Sequence, residues 1–360
     1  MFEKIKVNSL KYKTKDLPKY RTSECPLPAL TAGIENQGLN NYVPNKGATI
    51  LKNVISISAN GANTGATFYQ NREFTVLQDA YAIKWIFDKT VLSDNQYLFL
   101  TSSISKTIYG NYEWTNKAGW ERIKTENIKL PINTDGSIDF EFMETFIAEL
   151  EAERVAELSA YLKASGFDNY ELSVEEQNAL QEYETLEWDL FNLEALFGKS
   201  TRGKRLKSAD RISGELPFVT AGEANEGISA YISNKVEVFE KNTTTIDMFG
   251  SAKYRNYKYG ADDHIAVVHT ENIPMKASIF LTSSINKAAH TGKFDYGHNF
   301  YAKDADELDI MLPAKNGQPN YDVMELLISA VQKLVIKDVV KYSDAKISAT
   351  KQVIQEKGEF

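Results

Sequence analysis

The side chains with the clearest chemical potential in this sequence are cations and amides that lie among aromatic residues. Lys253, Arg255 and Lys258 interrupt the tyrosine-rich run SAKYRNYKYG at 251–260. A polar stretch of the first half contributes the amides of Asn60, Asn63 and Gln70. Arginine and lysine pair with the major-groove edge of guanine, and asparagine and glutamine pair with that of adenine. These residue types suit contacts with DNA bases, although a solvated polar loop would have the same composition.

The densest positive segment is 198–211, GKSTRGKRLKSADR, which holds six basic residues and one acidic residue. The candidates for DNA contacts here and in the stretch 288–299 are Arg202, Lys204, Arg205, Lys207 and Lys293. The net charge of the chain is −8, which by itself argues against a nucleic-acid partner. Residues 141–195, however, carry fifteen acidic and two basic residues, a net of −13, so the rest of the chain carries +5. Most of the acidic charge is thus confined to one segment.

The residue patterns of common catalytic and metal sites are missing from the sequence. Cys25 is the one cysteine, and the four histidines show neither H-x-x-x-H nor H-E-x-x-H spacing. GKST at 198–201 resembles the end of a P-loop, but Leu193 stands where that motif requires glycine. We find no N-P-P-[FYW] segment of an amino-methyltransferase and no nuclease set of two acids and a lysine. We therefore predict no catalytic residue, no metal site and no cofactor bound by this chain.

Three blocks of sequence occur twice in the same order, which indicates an internal duplication. LPALTAGIENQGLNNYVPN at 27–45 and LPFVTAGEANEGISAYISN at 216–234 share nine of nineteen residues. FLTSSISK at 99–106 and FLTSSINK at 280–287 share seven of eight, and DGSIDFEFMETFI at 135–147 corresponds to NGQPNYDVMELLI at 316–328. A weaker similarity pairs Gly61 with Gly250. A period this long predicts two tandem domains rather than a solenoid.

The duplication separates shared positions from positions that differ between the copies. Lys106 and Lys287 occupy the same place, which suits contacts with phosphate better than the choice of a base. The shared glycines and asparagines of the TAG…N.G pattern fit a turn scaffold, or else phosphate contact through exposed backbone amides. Two copies that read different DNA sequences would differ at base-reading positions. We expect those positions in the divergent stretches, 62–78 against 251–262 and 107–120 against 288–299.

Each copy begins with strand-like sequence and ends with helix-like sequence. ATILKNVISIS and FTVLQDAYAIKWIF in the first copy, and VEVFEKNTTTIDMF and DHIAVVHT in the second, read as strands. Helical spacing follows from Met143 to Tyr161 and from Met324 to Val335. Ser173 opens a capping box, and a leucine-rich stripe from Leu180 to Leu193 predicts a further helix. The fold class is therefore mixed α/β, with two β-rich modules joined by long helices whose apolar stripes pair as an antiparallel coiled coil.

The boundaries that follow from this pattern are 1–140 for the first module, 141–197 for a central helical spacer, 198–320 for the second module and 321–360 for a C-terminal spacer helix. A spacer helix of about 22 residues is about 33 Å long, close to one turn of B-DNA. The geometry suggests a protein that reads two-part DNA sites. No apolar run approaches the ~20 residues that cross a bilayer, so we predict a cytoplasmic protein without a membrane partner.

The chain resembles the specificity (S) subunits of type I restriction–modification enzymes and of the related type IIB systems. The resemblance rests on GKRL at 203–206 with Ala209 and Asp210, on LPFVTAG and the YI pair at 216–232, and on the LTSS blocks and the Leu-Pro turns of both copies. It covers nearly the whole chain, although the start of the first copy, MFEKIKVNSLKYKTKD, lacks the GKRL element.

The resemblance implies two target-recognition domains, each reading one half of an interrupted site in double-stranded DNA, in a subunit without catalytic activity. It also implies adenine methyltransferase (M) subunits as partners, with S-adenosylmethionine bound on them, and a restriction (R) subunit or a bifunctional polypeptide. One alternative is a duplicated binding module for protein or carbohydrate that uses its tyrosines for stacking. Another is a nuclease that acts alone. DNA binding would fall steeply with salt, whereas the first alternative would be largely indifferent to it.

Overall fold

The computed structural model describes residues 1–358, and side chains as far as Gln352. Residues 1–157, with those from 346 onward, form one compact unit, and 158–345 form a second. The helices and strands of the first unit are β1 (Phe2–Lys4), β2 (Leu27–Leu30), β3 (Leu39–Val43), β4 (Val54–Ser58), β5 (Thr67–Gln70), β6 (Thr75–Val76), β7 (Ala80–Trp85), α1 (Asp94–Ile108), α2 (Trp120–Ile123) and α3 (Phe140–Ala164), which runs on into the second.

The second unit repeats these elements and adds others. Its elements are α4 (Val174–Gln181), β8 (Trp188–Asn192), α5 (Leu193–Phe197), β9 (Thr201–Arg202), β10 (Ser213–Val219), β11 (Ile228–Ile232), β12 (Thr243–Asp247), β13 (Ala252–Arg255), β14 (Gly260–Ala261), β15 (Ile265–Val268), α6 (Met275–Ala289), α7 (Ala302–Asp306), β16 (Asp309–Lys315), β17 (Gln318–Pro319) and α8 (Tyr321–Gly358). The last part of α8 belongs to the first unit.

The sheets confirm the predicted duplication. The first unit has a four-stranded sheet in the order β1-β7-β4-β5, and the second has the matching order β9-β15-β12-β13. A three-stranded sheet, β3-β2-β6 or β11-β10-β14, lies beside each, with one parallel pair, β2 with β6 or β10 with β14. Strand β1 therefore corresponds to β9, so the first copy does start with a strand equivalent to the one that precedes GKRL.

The central strand and the first long helix of each unit form its core. Ile55 and Ile57 in β4 pack on α1, whose buried residues recur with helical spacing from Tyr97 through Leu100 to Ile108. The other face of β4 is also covered, which explains why all five of its residues are buried. Ser93 caps α1 in a capping box with Gln96. The equivalent helix α6 packs on β12 in the same way.

A glycine in each unit lets the turn of one hairpin approach the C-terminal end of the long helix. The hairpin joins β4 to β5 beside α1 in the first unit, and β12 to β13 beside α6 in the second. A Cβ on Gly65 would lie 2.9 Å from the carbonyl oxygen of Ile108, and one on Gly250 would lie 2.5 Å from that of Ala289. Both glycines have positive φ, +88° and +83°. The sequence comparison that paired Gly61 with Gly250 is therefore wrong, because the first hairpin loop is longer and shifts the register.

The long helices form the predicted antiparallel pair. Residues 148–156 of α3 line a groove with 346–351 of α8, and Lys346 forms an ion pair with Glu151 at 2.7 Å. The early part of α3 thus lies with the late part of α8 in the first unit, while the end of α3 belongs with the earlier part of α8 in the second. Within residues 1–358, no helix is long and apolar enough to cross a membrane.

The predicted leucine-rich helix from Leu180 to Leu193 is wrong. The capping box at Ser173 does open α4, but that helix ends at Gln181, and residues 188–192 form β8 instead. The leucine spacing fits a helix, but pairing with β16 satisfies the backbone and packs Phe191 against the second core.

Candidate nucleic-acid interface

The repeated TAG…N.G pattern forms an unusual turn in each unit. Three consecutive residues have left-handed backbone angles, and they are Asn36, Gln37 and Gly38 in the first unit and Asn225, Glu226 and Gly227 in the second. A Cβ on Gly38 would approach the carbonyl oxygen of Thr31 to 3.1 Å, and one on Gly227 would approach that of Thr220 to 2.6 Å. Asparagine and glycine tolerate this conformation better than other residues, which explains their presence in both copies. We call these two segments the left-handed turns.

One side chain beneath each left-handed turn holds it to the neighbouring hairpin. Gln70 donates from Nε2 to the carbonyl oxygen of Gln37 at 3.2 Å and to the hydroxyl of Ser56 at 3.1 Å. Gln70 ends β5 and pairs with Val54, just as Arg255 ends β13 and pairs with Thr243. The two units thus use different side chains at the same structural position.

Arg255 is buried, whereas the sequence suggested a contact with DNA bases. Its side chain donates to the carbonyl oxygen of Glu226 at 2.8 Å, to Thr245 Oγ1 at 2.9 Å and to the hydroxyl of Tyr257 at 2.9 Å. The residue is 1% exposed, and its guanidinium lies 5.9 Å from the ring centroid of Tyr259. All three donor nitrogens are therefore engaged inside the unit, a geometry that favours support of the turn over direct contact with a base.

Lys253 also lies under the left-handed turn of the second unit. Its side chain is 14% exposed and donates to Glu223 at 3.2 Å and to Ser251 at 2.8 Å, with Asp247 at 3.9 Å. A hydrogen bond from Ser251 lowers the pKa of the Glu223 carboxyl, and the hydrogen bond from Lys253 contributes in the same direction. The contact between Lys253 and Glu223 thus stabilises the start of the turn.

Exposed groups also follow the last residues of β5 and β13, next to the side chains that support these turns. Asn71 and Asn256 follow Gln70 and Arg255 and are exposed in both units. The next two positions differ, with Arg72 and Glu73 in the first unit and Tyr257 and Lys258 in the second. Lys258 is exposed and pairs with Glu240 at 2.7 Å.

A cavity opens beside each left-handed turn. It has a volume of about 530 Å³ in the first unit and about 560 Å³ in the second. Equivalent residues line both, namely Asn36, Leu39 and Tyr42 in one and Asn225, Ile228 and Tyr231 in the other. Lys52, Gln70, Asn71 and Arg72 also line the first cavity. Cations, amides and an aromatic ring thus converge at one place in the first unit.

Several lysines occupy equivalent exposed positions in the two units. Lys106 and Lys287 lie in the last turns of α1 and α6, where a cation also interacts favourably with the helix dipole. The pairs that sequence reasoning missed are Lys46 with Lys235 and Lys52 with Lys241, all exposed. Extending the first repeated block by a few residues, through the shared Asn-Lys and Lys-Asn dipeptides, would have found them.

The basic segment of the second unit is fixed by its backbone and exposes its side chains. Lys204 N–H donates to the carbonyl oxygen of Ala261 at 3.0 Å, and Leu206 N–H donates to Asp262 at 3.2 Å. The exposed side chains are Arg202, Lys204, Arg205 and Lys207, and the first of these lies 5.8 Å from the Tyr301 ring centroid. Within residues 1–358, one cluster of potential metal ligands is found, and it consists of Asp262, Asp263 and His264. The Asp262 carboxylate accepts the hydrogen bond from the Leu206 N–H and so has a structural role.

The remaining predicted residues lie apart from the left-handed turns. Asn60 donates to Asp79 at 2.8 Å and accepts from the Gly61 N–H at 2.9 Å, so both ends of its amide are engaged. Asn63 is half-buried in the same loop, at the opposite end of β5 from Gln70. Lys293 is exposed in the loop after α6. The structure thus places Lys253 and Arg255 beneath the turn and Lys258 on the surface after β13, and it separates Asn60 and Asn63 from Gln70.

Known proteins with similar sequences point to one family. The family model of the type I restriction modification DNA specificity domain matches residues 1–160 and 185–356. The specificity subunit S.BcgI of a type II restriction enzyme from Heyndrickxia coagulans is 24% identical over 330 residues, which cover 90% of this chain and 91% of that subunit. A crystal structure of the S subunit of a type I restriction-modification system from M. genitalium has a TM-score of 0.53 at 16% identity, covering 98% of this chain and 91% of that one.

The two stretches that match the family model coincide with the two copies of the duplicated fold. The M. genitalium structure, at its low sequence identity, supports the fold. Repeated sequence blocks, duplicated sheets and the family match therefore agree. The chain belongs to the family of type I restriction–modification DNA specificity domains.

Proposed function

We propose that this chain is the subunit that gives a restriction–modification enzyme its DNA sequence specificity, with each unit reading one half of an interrupted site. The observation that carries the proposal is that one scaffold, the left-handed turn with its hairpin, is built twice and carries different side chains. Gln70 and Arg255 support the turn, and the residues exposed beside it differ between the units. A shared scaffold with different exposed residues is what two half-sites of different sequence require.

The shared and the divergent residues have separate roles in this proposal. The lysines common to both units, such as Lys52 and Lys241, contact phosphates and set the register of each unit on DNA. Arg72 and Glu73 in the first unit, and Lys258 in the second, contact base edges. Arginine suits guanine, and a carboxylate accepts a hydrogen bond from the amino group of cytosine.

The recognition domains lie within 1–140 and 198–320, and the spacers within 141–197 and 321–360. Chemistry belongs to partner subunits in this proposal. Adenine methyltransferase subunits bind S-adenosylmethionine and extrude the target base, and a restriction subunit or a bifunctional polypeptide cuts the DNA. This chain has no catalytic residue and positions its partners.

The test is to co-express the chain with adenine methyltransferase subunits from the same genome, in a host without adenine methylation, and to map methylated adenines. We expect one interrupted motif that is absent when the chain is omitted. Exchanging residues 71–73 for the sequence of 256–258 should change one half of that motif only. A change in both halves, or methylation independent of the chain, would contradict the proposal. Salt-insensitive binding would instead favour a module for protein or carbohydrate.

A further inference from the structure

We propose that the first unit carries a docking face, left open by the residues that the structure describes, for a helix–strand segment of another polypeptide. The second unit holds residues 174–192 of this chain at the equivalent place. The proposal rests on the internal duplication and adds to the proposed function, because neither the left-handed turns nor the shared lysines take part in it.

In the second unit, the segment that includes α4 and β8 covers an apolar face. Ala179 in α4 packs against Val323 and Leu327 at the start of α8, and the three are 5%, 9% and 4% exposed. The ring of Trp188 then lies 6.3 Å from that of Phe280 in α6. Helix and strand together thus bury the junction of α6 with α8.

The same face of the first unit is aromatic and exposed. The residues at the positions of Phe280, Val323 and Leu327 are Phe99, Phe142 and Phe146. Phe142 is 48% exposed and Phe146 is 45% exposed, and their rings stack at 5.8 Å. Phe99 packs edge-on against both, at 6.2 and 5.9 Å. Three phenylalanines packed together at the surface form the kind of apolar patch that marks an interaction site. We call these three residues the phenylalanine cluster.

The backbone beside the phenylalanine cluster is also unpaired. In the second unit, β8 pairs with β16 over five residues, from Asp309 to Pro313. The corresponding residues of the first unit are 127–131, and no hydrogen bond within the described part of the chain engages the backbone of Ile128, Lys129 or Leu130. An open strand edge of this kind accepts an extended peptide as an added strand. The phenylalanine cluster thus lacks the helix, and the strand edge lacks the strand, that one continuous segment supplies in the second unit.

The charges around the phenylalanine cluster distinguish its occupant from a second copy of this chain. In the second unit, Glu176 of α4 pairs with Lys333 at 2.8 Å. Ala152 replaces that lysine in the first unit, and the exposed carboxylates Glu149 and Glu153 continue the line of Phe142 and Phe146 along α3. The acidic segment 174–192 would lose the lysine that pairs with Glu176 and would meet the like charge of Glu149 and Glu153. The occupant is therefore a segment of a different polypeptide, a short amphipathic helix with lysine or arginine followed by an extended apolar stretch.

A pair of synthetic peptides tests this proposal on the full-length chain. One reproduces residues 173–192, and the other carries Glu176→Lys in the same sequence. We expect the lysine peptide to bind at least tenfold more tightly in fluorescence anisotropy and to protect the amides of 127–130 from hydrogen exchange. Phe146→Glu in the chain should weaken the binding of the lysine peptide at least tenfold. Val91→Glu, at a residue that is 94% exposed, is the matched control and should not.

A second variant addresses the charges and keeps the test independent of folding. Glu149→Lys leaves the phenylalanines in place and should remove or reverse the preference for the lysine peptide. Equal affinity of the two peptides, or binding that ignores both variants, would overturn the proposal. So would sedimentation showing that the chain alone forms a dimer that Phe146→Glu dissociates, since the occupant would then be a second copy. DNA affinity should be the same for both variants and the parent, so this result is distinguishable from a failure of the proposed function.

Discussion

The guanidinium of Arg255 donates a hydrogen bond of 2.8 Å to the backbone carbonyl of Glu226, a residue held in the left-handed conformation. Gln70 makes the equivalent contact to Gln37 in the first unit, at 3.2 Å. Each of the two side chains also bonds to a hydroxyl in the central strand. Because a left-handed residue other than glycine carries a conformational cost, these bonds hold the turn in a shape that it would not favour alone.

Replacing Arg255 should therefore affect stability and the reading of one half-site together. We expect Arg255→Ala to lower the free energy of unfolding by about 3 kcal/mol, because buried hydrogen-bonding groups are left without partners. Arg255→Gln places the side chain of the first unit at this position, and it should retain most of the stability. Chemical denaturation measures the stability, and methylation mapping measures the half-sites.

Arg255→Gln is also the control for specificity. Because this variant stays folded, any change in the half-site that it reads comes from the altered support of the turn. We expect altered methylation in one half of the two-part motif and no change in the other. If Arg255→Ala proved as stable as the parent chain, the supporting role of this residue would be wrong.

The duplication and the two-part architecture could be predicted from sequence because repeated blocks in the same order reveal both. The burial of Arg255 could not, since it depends on a turn 29 residues earlier folding over the hairpin. Residue type alone suggested a base contact, but the same guanidinium serves equally well as an internal support. Lys52 and Lys241 were within reach of sequence comparison, because the first repeated block continues past residue 45.

Local spacing misled the prediction where long-range pairing decides the structure. The leucines between Leu180 and Leu193 fit a helix, yet β8 forms there because β16 offers an open edge more than a hundred residues later. Gly61 aligns with Gly250 by sequence, but the close contact with the helix end identifies Gly65 as its equivalent. The offset between the repeated blocks falls from 189 residues at 27/216 to 181 at 99/280, which shows extra residues in the first copy but not which loop holds them.

The shared lysines should act on DNA affinity without acting on sequence choice. We expect Lys241→Ala and Lys287→Ala each to weaken binding to cognate and unrelated DNA by the same factor. Each should also reduce the slope of log affinity against log salt by about 0.9, the value for one phosphate contact. Lys315→Ala is the control, because Lys315 is exposed and the first unit has Asn133 in its place. A selective loss of cognate binding would assign these lysines to base reading instead.

The glycines at the helix ends should be far less replaceable than their neighbours. Gly65→Ala and Gly250→Ala add a Cβ within 3 Å of a backbone carbonyl and at positive φ, so we expect each to lower the free energy of unfolding by roughly 3 kcal/mol or more. Gly61→Ala is the control, since it also has positive φ but meets nothing within 4 Å, and about 1 kcal/mol is expected there. Denaturant unfolding of the three variants measures the difference. Equal losses would mean that backbone strain alone matters.

The ion pair between Glu176 and Lys333 should make the second unit sensitive to acid. Burial alone would raise the pKa of Glu176, but hydrogen bonds from Lys333 and Ser329 outweigh it and lower the pKa from 4.5 to about 2. A lowered pKa in the folded state stabilises the fold above the unfolded value, so this contribution is complete above about pH 4.5 and is lost as the pH falls toward 2. The shift corresponds to about 3 kcal/mol. We expect Glu176→Gln to destabilise the chain near neutral pH, and the difference in unfolding free energy from the parent to shrink as the pH falls from 4.5 toward 2. A difference that stays constant from pH 6 to pH 2.5 would show that Glu176 stabilises the fold without its charge.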